Sequence, residues 1–171
     1  MRARSIGMAI AAVAAAFALL PTSGASAASP EPMVAKRYVQ NVEYRQVMDV
    51  EAGRTTKGTP IYGWNLHFGQ NQQFKLLSYP DGSTVFKGVQ SNLCVDVKGG
   101  EQARMGAPLV LQDCDRDATQ HWRQQAGLIP GSVVFRNEHF HNACLTQPAR
   151  SSRLVIEDCS FGDQTQEWYV R

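Results

Sequence analysis

The sequence predicts an all-β fold, namely a β-trefoil of three repeats of roughly 47 residues with pseudo-threefold symmetry. The repeats show as three Gln-x-aromatic triplets, Gln72-Gln73-Phe74, Gln120-His121-Trp122 and Gln166-Glu167-Trp168, whose aromatic residues lie 48 and then 46 positions apart. A period of this length indicates one supersecondary unit whose copies bury their apolar faces against one another. No stretch keeps an amphipathic helical period for three turns, so the chain is expected to be built from strands.

The first 36 residues are expected to precede the folded domain. Residues 1–27 have the pattern of a secretory signal peptide, with two arginines, an uncharged apolar run of 15 residues and the small-residue sequence Ala25-Ser26-Ala27. A membrane anchor is the alternative, but a membrane-spanning helix needs about 20 apolar residues. Residues 28–36 contain two prolines among small and charged residues, which indicates a flexible leader. We therefore expect a secreted, extracellular protein without membrane insertion.

Residues 37–171 are expected to form one domain of many short strands. Each repeat reads as a strand, a glycine-bearing turn, an alternating strand, a polar loop, the Gln-x-aromatic triplet and a hairpin, which gives twelve strands in three units. Closure around a threefold axis removes most exposed strand edges, whereas a sandwich of similar strand number would not explain the repeat. The triplet aromatics are predicted to lie in the shared core, and the glutamines to brace the loops beside them: Phe74, Trp122 and Trp168, with Gln72, Gln120 and Gln166.

The four cysteines all follow the signal sequence and permit three disulfide connectivities. Cys94 and Cys114 of the second repeat stand at places equivalent to Cys144 and Cys159 of the third. Disulfides within each repeat, Cys94 to Cys114 and Cys144 to Cys159, are therefore the pairing consistent with the symmetry. The first repeat has apolar residues at these places, for which an apolar contact is expected instead: Val47 and Leu66.

Composition argues against several classes of partner. Removing the two arginines of the signal leaves 15 basic against 15 acidic residues, with the basic ones scattered, so neither nucleic acid nor an anionic membrane is expected. Zinc is a weak alternative for the cysteines, because there is no Cys-x-x-Cys and only His139-Phe140-His141 stands near Cys144. No nucleophile motif is present, and the chain leaves no room for a separate catalytic domain. We expect no metal, no cofactor and no enzymatic activity.

The second repeat resembles the repeat of the ricin B-type lectin family. The residues that carry the resemblance are Cys94-Val95-Asp96-Val97, the run 106–114 and Gln120-His121-Trp122, and the likeness extends over residues 37–171. It implies a β-trefoil that binds sugars, often of the galactose type, in a shallow pocket on each repeat. It also implies the site positions: the Asp of the x-x-Asp-Val sequence, an aromatic ring two residues before the second cysteine, and an Asn directly before the glutamine of the triplet.

The first repeat carries every position that the resemblance assigns to a sugar site. Asp49 holds the carboxylate position, Trp64 lies two residues before the second cysteine position, and Asn71 precedes Gln72. This chemistry suits a sugar, because a pyranose presents a C–H face to an aromatic ring and hydroxyls to carboxylate and amide groups. Two further candidates are expected at the site, one by strand alternation from Trp64 and one at the rim: Tyr62 and His67.

The other two repeats have lost part of this set. The second keeps Asp96 and Gln120 but has Gln112 at the ring position and Thr119 at the Asn position. The third keeps only Gln166 and has three replacements: Thr146, Glu157 and Thr165. The sequence therefore predicts a secreted, non-catalytic protein that binds galactose-type or related glycans or polysaccharides at its first repeat. The alternative is a β-trefoil for protein contact, such as an inhibitor or a toxin delivery subunit.

Overall fold

The computed structural model describes residues 34–171, which form short β-strands joined by turns. The predicted signal peptide and residues 28–33 of the predicted leader lie outside the described residues. The strands are β1 Lys36–Arg37, β2 Val39–Asn41, β3 Val47–Val50, β4 Ile61–Trp64, β5 Phe74–Ser78, β6 Ser83–Gly88, β7 Cys94–Val97, β8 Leu109–Gln112, β9 Trp122–Ala126, β10 Val133–Asn137, β11 Ala143–Thr146, β12 Val155–Asp158 and β13 Glu167–Val170. The helical segments in this range are 3-10 turns: Glu51–Gly53, Gln70–Gln72, Gly100–Gln102 and Ala118–Gln120. Within residues 34–171, no helix has the length and apolar character that crossing a membrane requires.

After β1, the strands fall into three units of four, which are β2–β5, β6–β9 and β10–β13. In each unit the two middle strands form an antiparallel hairpin with the same register. The equivalent pairs across these hairpins are Val47 with Trp64, Cys94 with Gln112, and Cys144 with Glu157. The repeats therefore match residue by residue, and the predicted β-trefoil is confirmed.

The outer strands of the units form a closed ring. β5 pairs with β6, β6 with β9, β9 with β10, β10 with β13, and β13 with β2. β1 pairs with β5, and Tyr38, which follows it, exchanges two backbone hydrogen bonds with Arg171, of 2.7 and 2.9 Å. Residues 36–41 thus connect both ends of the ring. Because Lys36 belongs to β1, the folded part begins at least one residue before the predicted boundary at residue 37.

The core lies inside this ring and beneath the three hairpins. Phe74, Trp122 and Trp168 are fully buried there, which confirms their predicted structural role. The rings of Phe86 and Phe135 pack edge to face beside them, with centroids 4.8 Å apart. Aliphatic side chains from all three hairpins complete the core: Ile61, Leu109, Leu111, Leu145, Leu154 and Ile156.

The glutamine of each triplet braces the loop that precedes it, as predicted. Its amide nitrogen donates to one loop carbonyl, and its amide oxygen accepts from one loop N–H. The partners are Asn65 O (2.9 Å) and His67 N (2.9 Å) for Gln72, Asp113 O (2.8 Å) and Asp115 N (3.3 Å) for Gln120, and Asp158 O (2.9 Å) and Ser160 N (2.9 Å) for Gln166. The buried amide of each glutamine is thus paired with the loop backbone, and the three loops are held by the same two contacts although their other residues differ.

Both predicted disulfides are present, Cys94 to Cys114 and Cys144 to Cys159. Each links the first strand of a hairpin to the loop after its second strand. The first repeat lacks the link. Val47 is buried there as expected, but Leu66 is 38 % exposed and lies outside the apolar core. The loop after β4 is held instead by Gln72 and by polar contacts described below.

Candidate functional site

The hairpin of β3 and β4 places two aromatic rings beside a carboxylate. Asp49 on β3 pairs in register with Tyr62 on β4, and Trp64 follows two residues later. Along β4, Ile61 and Gly63 are buried, whereas Tyr62 is half-buried and Trp64 is 48 % exposed. Alternation therefore turns both aromatic side chains to the outer face of the hairpin, as the sequence predicts.

Asp49 is almost completely buried and is held by three side chains. Its Oδ1 accepts a hydrogen bond from Asn71 Nδ2 at 3.0 Å. Its Oδ2 accepts one from Gln72 Nε2 at 2.7 Å and lies 3.1 Å from His67 Nε2. A carboxylate has about four acceptor positions, so these contacts fix its orientation and leave capacity for one further donor.

Burial and hydrogen bonding act on the Asp49 carboxyl in opposite directions. Desolvation raises its pKa above the ordinary value of 3.8, while the contacts with Gln72, His67 and Asn71 partly offset this increase. The net shift is upward. The Asp49 carboxyl therefore has a proton affinity above that of an exposed aspartate.

The loop after β4 brings His67 and Asn71 back to Asp49. The backbone N–H of His67 donates to Gln72 Oε1 at 2.9 Å, and that of Gly69 donates to His67 Nδ1 at 3.2 Å. Phe68, between them, has a positive φ of 62°. The left-handed conformation at Phe68 is uncommon for a large residue, and here it belongs to the tight return of the chain.

These side chains surround one open cavity of about 660 Å³. Five of the six predicted site residues line it: Asp49, Tyr62, Trp64, His67 and Asn71. Gln72 is fully buried beside Asp49 and does not line the cavity, so its contribution is to hold Asp49 and the loop. Residues not predicted from the sequence complete the wall: Glu51, Ala52, Gly53 and Gln90.

Gln90 comes from the second repeat, in the turn between β6 and β7. Its Nε2 donates to the carbonyl oxygen of Gly53 at 3.0 Å, which holds the turn after β3 at the cavity edge. In that turn Ala52 and Gly53 both have positive φ, of 50° and 65°. The Ala-Gly pair after Asp49-Val50-Glu51 is the one sequence signal of this turn, since Gly adopts such angles at little cost.

The third repeat also reaches the site. Arg153, just before β12, donates from Nε to the Tyr62 hydroxyl at 3.0 Å, and its guanidinium lies over the Tyr62 ring, 5.8 Å from the centroid. The Tyr62 oxygen is thereby used as an acceptor, so its own O–H is free to donate. Arg153 was not predicted, because its contact depends on how the repeats close together.

The equivalent place in the second repeat is less complete. Asp96 is buried like Asp49, and Gln120 Nε2 donates to its Oδ2 at 3.2 Å. Its Oδ1 is buried without a hydrogen-bond partner, since Thr119 stands where the first repeat has Asn71. Val110 occupies the Tyr62 position and Gln112 the Trp64 position, which removes both rings. The pocket chemistry is therefore reduced to one carboxylate.

The third repeat has no carboxylate at this place. Thr146 replaces it, and its hydroxyl donates to the Cys144 carbonyl at 3.0 Å within its own strand. Val155 and Glu157 take the two ring positions. Throughout residues 34–171, no three His, Cys, Asp or Glu side chains cluster in a way that would hold a metal ion. The arrangement at the first repeat is one of acceptors, donors and aromatic faces.

Comparison with known families gives two matches that together span residues 35–171. Residues 82–171 match the ricin-type beta-trefoil lectin domain, and residues 35–112 match the ricin-type beta-trefoil lectin domain-like family. Among curated proteins, none matches the sequence significantly.

Solved structures share the fold at low sequence identity. The designed threefold-symmetric protein ThreeFoil is 20 % identical with a TM-score of 0.73, over 79 % of this chain and 96 % of that one. The Macrolepiota procera ricin B-like lectin in complex with lactose is 16 % identical with a TM-score of 0.66, over 83 % and 98 %. An exo-beta-1,3-galactanase from Clostridium thermocellum is 20 % identical with a TM-score of 0.73, but the aligned part is 81 % of this chain and only 30 % of the galactanase.

Proposed function

The chain belongs to the ricin-type β-trefoil lectin family, and from this membership we propose that it is a secreted, non-catalytic protein that binds glycans in the cavity of its first repeat. Family membership supports a carbohydrate-binding role. The observation that carries the choice of site is Asp49, a buried carboxylate held by three side chains beside the exposed ring of Trp64.

The proposed contacts follow from the chemistry of a pyranose. Its C–H face stacks on the Trp64 ring, and its hydroxyls donate to the remaining acceptor position of Asp49. Asn71 offers an amide oxygen, and Tyr62 an O–H that Arg153 leaves free to donate. Asn71, Gln72 and His67 hold the Asp49 carboxylate in one orientation, which limits the reorganisation needed on binding and favours affinity.

A galactose-type glycan is the proposed ligand class. The axial C4 hydroxyl of galactose leaves a continuous C–H patch on the opposite face of the ring, which suits a single exposed indole. The structural neighbour from Macrolepiota procera is a lectin in complex with lactose, and this supports a galactoside as the first ligand to test.

The carboxylates of the cavity fit binding better than catalysis. A glycosidase needs a pair of carboxyl groups on opposite sides of the scissile bond, one of them protonated. Asp49 accepts its contacts through both oxygens, and Glu51 forms an ion pair of 2.5 Å with Arg54. The two disulfides fit an oxidising compartment, which supports secretion.

The test is retention of the disulfide-bonded protein on immobilised lactose and its elution with free galactose. Trp64→Ala removes the stacking ring and Asp49→Asn the charged acceptor, so each is expected to abolish retention while the circular dichroism spectrum stays unchanged. A loss of 2 kcal/mol weakens binding about thirtyfold. The matched control is Asp96→Asn, at the equivalent place of the second repeat, which should be close to neutral. Loss of retention in Asp96→Asn but not in Trp64→Ala would contradict the first-repeat site.

Protein contact is the second candidate function, and the 90 % exposed side chain of Phe161 in the third repeat favours it. Such a partner would co-purify with the chain and resist displacement by free galactose. Displacement by galactose, together with loss of retention in Trp64→Ala, would favour the glycan function instead.

A further inference from the structure

A second open cavity lies where the β5–β6 hairpin meets the second and third repeats. Its volume is about 550 Å³, and it shares no lining residue with the cavity of the first repeat. Tyr79 and Asp81 contribute from the hairpin, Arg116 and His121 from the second repeat, and Glu138 from the segment after β10. We refer to this cavity as the seam cavity.

An aromatic wall is fixed on one side of the seam cavity. The ring of Tyr79 packs against the ring of His121 with centroids 4.7 Å apart and planes tilted by 55°. His121 is itself 7 % exposed, and its Nδ1 is hydrogen-bonded to Ser83 Oγ at 2.8 Å. The contact with His121 therefore holds the Tyr79 ring in place while both residues line the cavity.

Charged groups of both signs stand around this wall. Asp81 Oδ1 accepts from Ser83 N at 2.8 Å, and the hydrogen bonds from Ser83 lower the pKa of Asp81, which keeps it ionised. Arg116 stands opposite in sign, and the carboxylate of Glu138 is paired with Arg123 Nε at 2.5 Å. The charges balance, so the cavity favours a neutral ligand that both donates and accepts hydrogen bonds.

In the equivalent hairpin, β9–β10, the polar groups of the turn are bound by the middle residue of the third triplet. Glu167 occupies the position of His121, and its carboxylate accepts from Leu128 N at 3.0 Å, Ile129 N at 2.9 Å and Ser132 Oγ at 2.6 Å. That carboxylate thus takes up the polar groups of the turn between β9 and β10.

The turn between β5 and β6 is closed in a different way. Its backbone N–H groups bond within the turn, Tyr79 N to Ser83 O and Gly82 N to Tyr79 O, and Arg123 donates to the Asp81 carbonyl. The His121 side chain makes one hydrogen bond there, with Ser83 Oγ, and its Nε2 is buried without a partner. Where the third triplet has a carboxylate that accepts three hydrogen bonds, the second triplet thus has a ring with one buried nitrogen unpaired. Buried polar atoms without partners are uncommon in folded proteins, and they call for a ligand or a water.

We propose that the seam cavity is a second saccharide site, which takes a neutral sugar with its C–H face on Tyr79 and its hydroxyls on Asp81 and Arg116. Tyr79 supplies the stacking surface, Asp81 Oδ2 the acceptor and Arg116 the donors, which are the groups that a pyranose needs. The site stands on residues that take no part in the first cavity. It is therefore independent of the function proposed there, and together the two sites make one chain bivalent.

The experiment is a titration of the ¹⁵N-labelled, disulfide-bonded protein with four probes: the methyl glycosides of galactose, glucose and mannose, and N-acetylgalactosamine. Amide shifts of Gly82, Ser83 and Ala118 report the seam cavity, and those of Gly53 and Asn71 report the first cavity. At least one probe is expected to move the seam amides in a saturable way at concentrations up to about 10 mM, ten times a dissociation constant of 1 mM.

Variants separate the two sites. In Trp64→Ala the seam shifts should persist. In Tyr79→Ala the affinity at the seam cavity should fall about tenfold, since stacking on an aromatic ring contributes on the order of a factor of ten to binding. Tyr79→Phe keeps the ring and should retain binding. Asp81→Asn keeps an oxygen that can accept from Ser83 N but removes the charged acceptor, so it should weaken binding at the seam cavity.

Two results would overturn the proposal. One is the absence of saturable seam shifts with all four probes, and the other is seam shifts that vanish in Trp64→Ala but persist in Tyr79→Ala. In either case, shifts of Gly53 and Asn71 would still report on the first cavity. Failure of the seam site is thus distinguishable from failure of the function proposed for the first repeat.

Discussion

Arg153 and Tyr62 lie 91 positions apart in the chain, yet Arg153 Nε donates a hydrogen bond of 3.0 Å to the Tyr62 hydroxyl. The guanidinium also covers one face of the Tyr62 ring. This contact joins the third repeat to the cavity of the first. Tyr62 therefore does not depend on its own hairpin alone for its position.

Replacing Arg153 is expected to weaken binding at the first repeat without unfolding the protein. Arg153→Leu removes the donor to Tyr62, so the hydroxyl loses its fixed orientation, and an affinity weaker by a factor on the order of three to ten is expected. Arg153→Lys should keep only part of the native affinity, because lysine lacks the planar guanidinium group. Calorimetry with lactose measures the effect. In a Tyr62→Phe background the Arg153→Leu change should cost little further affinity, and a full additional loss there would show that Arg153 does not act through Tyr62.

Binding to a single sugar is expected to be weak. The cavity is open, so a dissociation constant on the order of 0.1 to 1 mM is expected for methyl galactoside, or about −4 to −5.5 kcal/mol. Retention on clustered glycans would then depend on multivalency, whether by the two cavities or by oligomerisation. Calorimetry that gave a submicromolar constant for a monosaccharide would contradict this view of the cavity.

Acid should weaken the first-repeat site earlier than an ordinary aspartate would predict. Burial raises the pKa of Asp49 above 3.8, so the carboxylate acceptor is lost as pH falls through that raised value. The stability of the fold changes in the opposite direction. Protonation of Asp49 removes the cost of burying a charge, so this group favours the folded state more as pH falls through the raised pKa. The measurement is lactose affinity between pH 7 and pH 3, in the native sequence and in His67→Gln, which removes the imidazole beside Asp49. Affinity that stayed constant down to pH 3, below the ordinary value of 3.8, would show that the ionised Asp49 is not needed.

Glu167 should stabilise the fold in a pH-dependent way. Burial alone would raise the pKa of its carboxyl, but the hydrogen bonds from Ser132, Ile129 and Leu128 outweigh it, and the pKa lies below its ordinary value of 4.5. A depressed pKa means that the stabilisation is complete above about 4.5 and is lost as pH falls through the lower, folded-state value. Glu167→Gln, which cannot accept all three bonds, is expected to lower the free energy of unfolding by about 1–3 kcal/mol at pH 7.

Urea unfolding at pH 7 and at pH 3 measures this difference, which should shrink in acid. The control is Glu101→Gln, an exposed side chain for which little change is expected at either pH. A Glu167→Gln penalty that was equal at both pH values would show that the carboxylate charge contributes nothing.

Gly63 should tolerate no side chain. A Cβ there would meet the amide of Gln147 closer than 3.0 Å. Gln147 is fully buried and donates to Gln46 Oε1 at 2.7 Å and to the Ala149 carbonyl at 3.1 Å, so it has little freedom to move. Gly63→Ala is expected to cost about 1–3 kcal/mol in stability. The penalty should fall when Gln147→Ala is already present, as thermal unfolding of the four proteins would show.

The fold was predictable because the same sequence pattern occurs three times along the chain. The triplets Gln72-Gln73-Phe74, Gln120-His121-Trp122 and Gln166-Glu167-Trp168 set the period, and the cysteines of two repeats set the register. Each position is thus observed up to three times in one sequence. That Asp49, Trp64 and Asn71 line one cavity could be expected from the resemblance to the ricin B-type repeat, because all three positions belong to one hairpin and its loop.

Two residues that escaped prediction, Gln90 and Arg153, reach the site from other repeats. Gln90 contacts Gly53 across 37 positions, and Arg153 contacts Tyr62 across 91. Such contacts depend on how the units pack around the threefold axis, and the spacing of residues within one repeat does not predict them. The seam cavity escaped for a related reason, because Tyr79 lies in a hairpin turn and His121 in a triplet, and only closure of the ring places them together.

The glutamine braces separate architecture from recognition. Gln120 and Gln166 hold their loops as Gln72 does, although Gln112 and Glu157 stand where the first repeat has Trp64. A repeat can therefore lack the aromatic ring at this position and keep its shape. The scaffold can accept substitutions at the outer positions of one repeat without losing the shape of that repeat. This also means that the number of triplets in a chain gives the number of structural repeats and not the number of binding pockets.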